Sequence, residues 1–184
     1  MAAATYAAYV GATWSRYGSP APITLAAAKD LDLFEAPVVR AVFKGRELLL
    51  RAHPAQRPRA RGMLAEVQAL GWVVLAELPG REIVLGAVTR PWQADVTFRP
   101  VPGDEFAAFD EPGYVKIAWT LRADPIDSRS STFRTETRAV ATDALARTRF
   151  RRYWAFLSPG IFLIRQAMLG PLKAAAERRA VDAA

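Results

Sequence analysis

Arg134, Glu136 and Arg138 stand at alternate positions of one strand-like stretch, the densest set of candidate reactive groups in the chain. A carboxylate between two guanidinium groups could serve acid–base chemistry or hold a polar ligand if all three faced an interior. Glu77, Glu82 and Lys116 are further polar candidates on strand-like segments. Alternation argues against most of them. From Gly113 to Arg122, Val115, Ile117, Trp119 and Leu121 share one face, and Lys116, Thr120 and Arg122 share the other. Burying the apolar set therefore turns Lys116 outward. If Arg134, Glu136 and Arg138 share that outer face, Glu136 is an ion-pair partner contributing roughly tenths of a kcal/mol. The reverse register would bury an Arg–Glu–Arg cluster and mark a polar ligand. The outward reading leaves Phe133, Thr135, Thr137 and Ala139 facing inward, and small side chains there leave room.

Other chemistries lack residues. With no cysteine, the chain cannot build disulfides, thiolate nucleophiles, zinc–thiolate sites or iron–sulfur clusters. His53 is the lone histidine and lies in an Arg/Pro-rich stretch, so neither a Ser-His-Asp triad nor a multi-histidine metal site can form around it. No glycine-rich phosphate loop occurs. The sequence assigns no catalytic residue, no metal site and no cofactor.

The elements that must position these residues follow from periodicity. Ala8 to Tyr17 reads as a first strand, ended by Gly18-Ser19-Pro20. Helices follow from Pro22 and from Pro37. Residues 51–62 form an Arg/Pro-rich loop, and a short helix spans Met63 to Leu70, capped by Gly71. Strands are then expected at 72–78 and 82–90 around a Pro79-Gly80 turn, at 95–101, 105–109 and 113–122, and at 131–142. A closing helix begins at Thr142-Asp143. Its stripe of Ala146, Phe150, Tyr153, Trp154 and Leu157 resumes at Ile161, Ile164, Met168 and Leu172, after Ser158-Pro159-Gly160 kinks or breaks it.

At 184 residues, 52% hydrophobic and 23% charged, the chain reads as one globular domain over 1–184. The first Arg is Arg16 and no uninterrupted apolar run precedes it, so no secretory leader is expected and the cytoplasm is the expected location. Tyr153 to Leu172 is interrupted by Pro159, Arg165 and Gln166, which argues against stable membrane insertion. The formal charge of +7 comes from 21 Arg and four Lys spread along the chain, with one grouping at Arg147, Arg149, Arg151 and Arg152. It reads as solvated surface with no nucleic-acid partner, and binding to duplex DNA or anionic vesicles is expected to be weak and to disappear near physiological salt. The oligomeric state is not readable.

The order of strand, small helices, strands and closing helix resembles the START/Bet v 1-like, or SRPBCC, superfamily. The segments ELPGREIVLG at 77–86, FAAFDEPGYVKIAW at 106–119 and TETRAVATDALARTRFRRYW at 135–154 are similar to its uncharacterised bacterial members. The resemblance implies an α+β helix-grip fold, in which a curved antiparallel sheet of about seven strands is closed by a long C-terminal helix. That helix is commonly continuous in the family, and the kink expected at Pro159-Gly160 is a departure from it, as is the long Arg/Pro-rich link at 51–62. The resemblance also implies a cavity between sheet and helix that binds a small hydrophobic or amphipathic molecule such as a lipid. The expected lining is Leu85, Ile117, Trp119, Phe133, Thr135, Thr137, Phe150, Tyr153 and Trp154. A cofactor-independent cyclase, dehydratase or aromatase acting in the same cavity is the alternative. A third reading is an interaction module whose cavity is filled by its own side chains.

Overall fold

The computed structural model describes residues 7–32, 36–51 and 62–183, with side chains from Gly11 onward. It is an α+β structure, an antiparallel sheet with a long C-terminal helix. Strand β1 (Ala7–Tyr17) is followed by helices α1 (Ala21–Asp30), α2 (Pro37–Leu50) and α3 (Met63–Ala69). Next come β2 (Val73–Leu78), β3 (Glu82–Thr89), the two-residue β4 (Phe98–Arg99) and the single helical turn α4 (Gly103–Phe106). Strands β5 (Val115–Pro125) and β6 (Ser131–Ala141) lead into α5 (Ala144–Asp182). The sheet order is β1-β6-β5-β3-β2, with β4 paired to β3, so the first strand lies beside the last and both β1 and β2 are edges.

Alternation on β5 and β6 places the side chains as their sequence requires. Val115, Leu121, Ala123, Phe133, Thr135 and Ala139 are buried, whereas Arg122, Arg134 and Arg138 are exposed. The outer face carries an ion-pair ladder. Arg122 bridges Glu82 at 3.1 Å and Asp124 at 2.7 Å, Arg134 lies 3.7 Å from Asp124, and Arg138 pairs with Glu136 at 2.6 Å. Lys116 points outward too, but its ammonium is half-covered and donates to the Ala107 carbonyl at 2.7 Å. Burial pulls its pKa down, with Asp110 opposing.

Two expectations are corrected. The strands expected at 95–101 and 105–109 shrink to β4 and the turn of α4, so the described sheet has six strands where about seven were expected. Pro100 and Pro102 remove ladder donors there, and Pro102 with Asp104 and Glu105 favours the start of a helix instead. Of the two outcomes expected at Ser158-Pro159-Gly160, a kink or a break, the break does not occur: α5 runs undivided through Pro159 and Pro171. Ala155, whose carbonyl loses its donor at Pro159, lies with Pro159 on the solvent side. Gly160 is a contact point: a Cβ there would come within 2.9 Å of Val42 on α2. The loop expected at 51–62 falls largely on residues 52–61, which lie outside the described residues together with His53.

The expected stripe of α5 faces the sheet, with Ala146, Phe150 and Leu172 buried and Tyr153, Trp154, Leu157, Ile161, Ile164 and Met168 half-buried. Tyr17 on β1 reaches across to α5, its hydroxyl donating to the Leu169 carbonyl at 3.4 Å. Burial, helped by Glu177, pushes this phenol up to about 12, so it remains a neutral donor. Asp143 caps α5. One carboxylate oxygen accepts from the Ala146 amide at 2.7 Å, and the other accepts from the Gly113 amide.

Those two bonds hold the Asp143 carboxyl below its ordinary range, Ala146 contributing most and Gly113 next. A depressed folded-state pKa gives stability that is present above the unfolded value near 3.9 and lost as pH falls through the folded value. Asp143→Ala is expected to cost about 1 kcal/mol at pH 7. The difference from the parent should shrink as the pH drops below about 4. Urea denaturation at both pH values checks this.

The β2–β3 hairpin turns at Pro79-Gly80, where Gly80 has φ +70° and the Arg81 amide donates to the Leu78 carbonyl at 3.0 Å. A side chain at Gly80 is strained by that φ and meets Pro22 at 3.3 Å. Gly80→Val should therefore cost more than about 1 kcal/mol in chemical denaturation.

Candidate functional site

The interior of the sheet–helix sandwich holds two separate apolar clusters. The larger includes Tyr17, Leu25, Ile83, Leu85, Leu121, Phe133 and Leu172. The smaller joins Val115, Ala139 and Phe150 to Trp92, Ile117, Tyr153 and Trp154. Polar side chains meet on the inner face of β5 and β6. Trp119 Nε1 donates to Thr135 Oγ1 at 2.7 Å, and Arg165 of α5 donates through Nη2 to Thr137 Oγ1 at 2.6 Å.

The register across the sheet explains how Arg165 fits there. Thr137 lies opposite Gly11 on β1 and Trp119 on β5. The β1–β6 register shifts between Tyr9 and Gly11, and Gly11 adopts φ +126°. A Cβ on Gly11 would stand 2.8 Å from Arg165 Nη1, so the bulge and the missing side chain together admit the guanidinium. Few residues other than glycine adopt that backbone angle.

Above this guanidinium, between the edge strand β1 and the middle of α5, is an open groove of about 340 Å3. Its described lining is Gly11 and Ala12 from β1, with Trp154, Ser158, Pro159, Ile161, Phe162 and Arg165 from α5. The helix supplies its wall because Trp154, Ser158, Ile161 and Arg165 follow one another three or four residues apart. Deeper in, under the second half of α5, the free space is only about 30 Å3, the size of one water, beside Trp119, Leu121, Phe133, Thr135 and Met168. Arg165 borders both spaces. The groove is within the size range of small-molecule sites, and the inner space is far below it.

The expected lining residues divide accordingly. Trp154 lines the groove, and Thr137 lies beneath it as the partner of Arg165. Trp119, Phe133 and Thr135 border the small inner space. Leu85 is fully buried in the larger cluster, with Trp119 opposite it on β5. Ile117, Phe150 and Tyr153 pack in the smaller cluster, where the rings of Phe150 and Tyr153 stack at 6.4 Å and those of Phe150 and Trp154 at 6.0 Å. Arg165 is missing from the expected set. Its signal was present, since a lone charge at 165 interrupts the otherwise apolar stripe of Trp154, Ile161, Met168 and Leu172.

Among the described residues, no group of three or more metal-ligating His, Asp or Glu side chains comes together. The described lining of the groove combines the Arg165 guanidinium, bonded to Thr137, with Ser158 and an apolar wall. No model of a known protein family matches the sequence, and a search of curated proteins finds no match.

Proposed function

We propose that this chain is a START/Bet v 1-like helix-grip protein that binds a small amphipathic molecule bearing an anionic end group. The molecule lies in the groove between β1 and α5, with its apolar body against Trp154, Ile161 and Phe162 and its anion on Arg165. The groove of about 340 Å3 with a positioned guanidinium at its base carries this reading. Guanidinium forms charge-assisted hydrogen bonds to carboxylate or phosphate, and these strengthen away from bulk water. The element order and the adjacency of first and last strands agree with the resemblance, although the described strands are fewer.

The binding reading is favoured over a cyclase or dehydratase because the described lining supplies no carboxylate. Glu82, Asp124 and Glu136 are engaged by arginines on the outer face of the sheet. The test is a titration of the full chain with a fluorescent fatty-acid analogue and with its alcohol counterpart. Saturable binding that favours the carboxylate by about tenfold or more is expected. Equal affinity for the two, or no saturable binding of either, would overturn the proposal.

A further inference from the structure

The outer face of α5 is as informative as its inner one. Leu145, Arg149, Arg152, Phe156, Pro159 and Leu163 succeed one another at alternating spacings of four and three, so they form a single stripe. All six are exposed, Phe156 at 77% and Leu163 at 51%. The most apolar 18-residue window of this helix has a mean hydropathy of 1.2, yet only 6% of it is buried. That is unlike the core helix of a globular domain. The helix does not stand free of the domain, because Ala146 and Phe150 toward its start and Leu172 and Ala176 toward its end are buried, and Gly160 between them lies against Val42 of α2. It is therefore held flat, with an apolar stripe turned outward.

Charge indicates what covers the stripe. Eight basic and two acidic side chains give α5 a net +6 of the chain's +7, and Arg147, Arg149, Arg151 and Arg152 are all exposed just before Phe156. A second copy is a poor match. Antiparallel pairing would set those arginines against the end carrying Lys173, Arg178 and Arg179, and parallel pairing would set them against themselves. Duplex DNA would match the arginines and leave Phe156 and Leu163 facing phosphate. An anionic lipid surface matches both, with aromatic and aliphatic side chains entering the acyl boundary and guanidinium groups reaching the headgroups. We infer that the outer stripe of α5 docks this protein reversibly onto anionic membranes, the helix lying in the plane of the surface.

The stripe meets the groove only at Pro159, and the inference does not depend on the groove ligand, since the side chains that the test removes, Phe156, Leu163, Arg149 and Arg152, are not in the groove's described lining. The experiment is co-sedimentation of the full chain with phosphatidylcholine vesicles, with and without phosphatidylglycerol, at about 0.15 M salt. Two variants are compared with the parent, Phe156→Ser/Leu163→Ser and Arg149→Gln/Arg152→Gln, with melting curves for all three. The parent should partition about tenfold more strongly onto the phosphatidylglycerol vesicles, and each variant should lose about tenfold or more while melting like the parent. Absence of vesicle binding by the parent would overturn the inference, and so would variants that bind as it does. It would also fall if sedimentation equilibrium found a parent dimer dissociated by the apolar variant, or if duplex DNA bound more tightly than vesicles. Should a variant melt early, the parent decides alone: co-sedimentation that rises with phosphatidylglycerol content and falls with added salt supports docking, and equal partitioning onto the two vesicle compositions refutes it.

Discussion

Thr24→Val is expected to lower the unfolding free energy by about 2 kcal/mol, a drop in Tm on the order of 5 °C for a chain of this length. Thr24 is fully buried on α1, and its hydroxyl sits 2.5 Å from Ser19 Oγ and 2.8 Å from Ser131 Oγ. Ser131 Oγ also donates to the Ser19 carbonyl at 2.8 Å. All three residues are 0% exposed, so the network that joins the end of β1, the first turns of α1 and the start of β6 is closed to bulk solvent. Valine keeps the shape of threonine and removes its hydroxyl, leaving Ser19 Oγ buried without this partner. Burying an unpaired hydroxyl costs about 1–3 kcal/mol. Thr24→Ser should retain most of the stability. Adding Ser131→Ala to Thr24→Val should cost less than the sum of the single changes, because the two side chains share one network. A Thr24→Val protein that melts with the parent would mean the hydroxyls contribute nothing.

The parts of the architecture legible in sequence were those governed by local rules. Alternation on β5 and β6 separated Trp119, Thr135 and Thr137 from Lys116, Arg134 and Arg138. Pro79-Gly80 marked a turn, Thr142-Asp143 a cap by one side chain or the other, and the stripe from Ala146 to Leu172 the inner face of α5. Around Pro100 and Pro102 the β-forming neighbours suggest strands, but the missing ladder donors prevail and β4 and α4 stand there instead. At Pro159-Gly160 a local rule leaves kink and break open, because it cannot see Val42 of α2 packed against Gly160.

The candidate site was harder to read. Its position depends on the bulge in β1, which brings Gly11 opposite Thr137, more than a hundred residues away, and so creates the space that Arg165 enters. Nothing within β1 announces that register. Arg165 is visible in the sequence as a charge in an apolar stripe, which argues against crossing a membrane and does not by itself point to a site. The outward apolar stripe was hidden for a related reason. The inner stripe already accounted for the helix, and Phe156 and Leu163 count as core until the fold turns them to solvent.

Arg165→Met carries the largest expected effect on binding. Methionine keeps an unbranched apolar chain against the groove wall and removes the guanidinium that Thr137 holds in place. A hydrogen bond to a charged group contributes about 1.5–3 kcal/mol, so the affinity for a carboxylate-headed probe should fall by roughly ten- to a hundredfold. The alcohol counterpart relies on Trp154, Ile161 and Phe162, and its affinity should change by less than about threefold. The most direct measurement is the ratio of the two dissociation constants in the parent and in Arg165→Met, with circular dichroism confirming that both are folded. The account predicts a ratio favouring the carboxylate in the parent that collapses toward equality in the variant. A ratio that survives the loss of Arg165 would contradict it, since the anion would then be held somewhere other than the base of this groove.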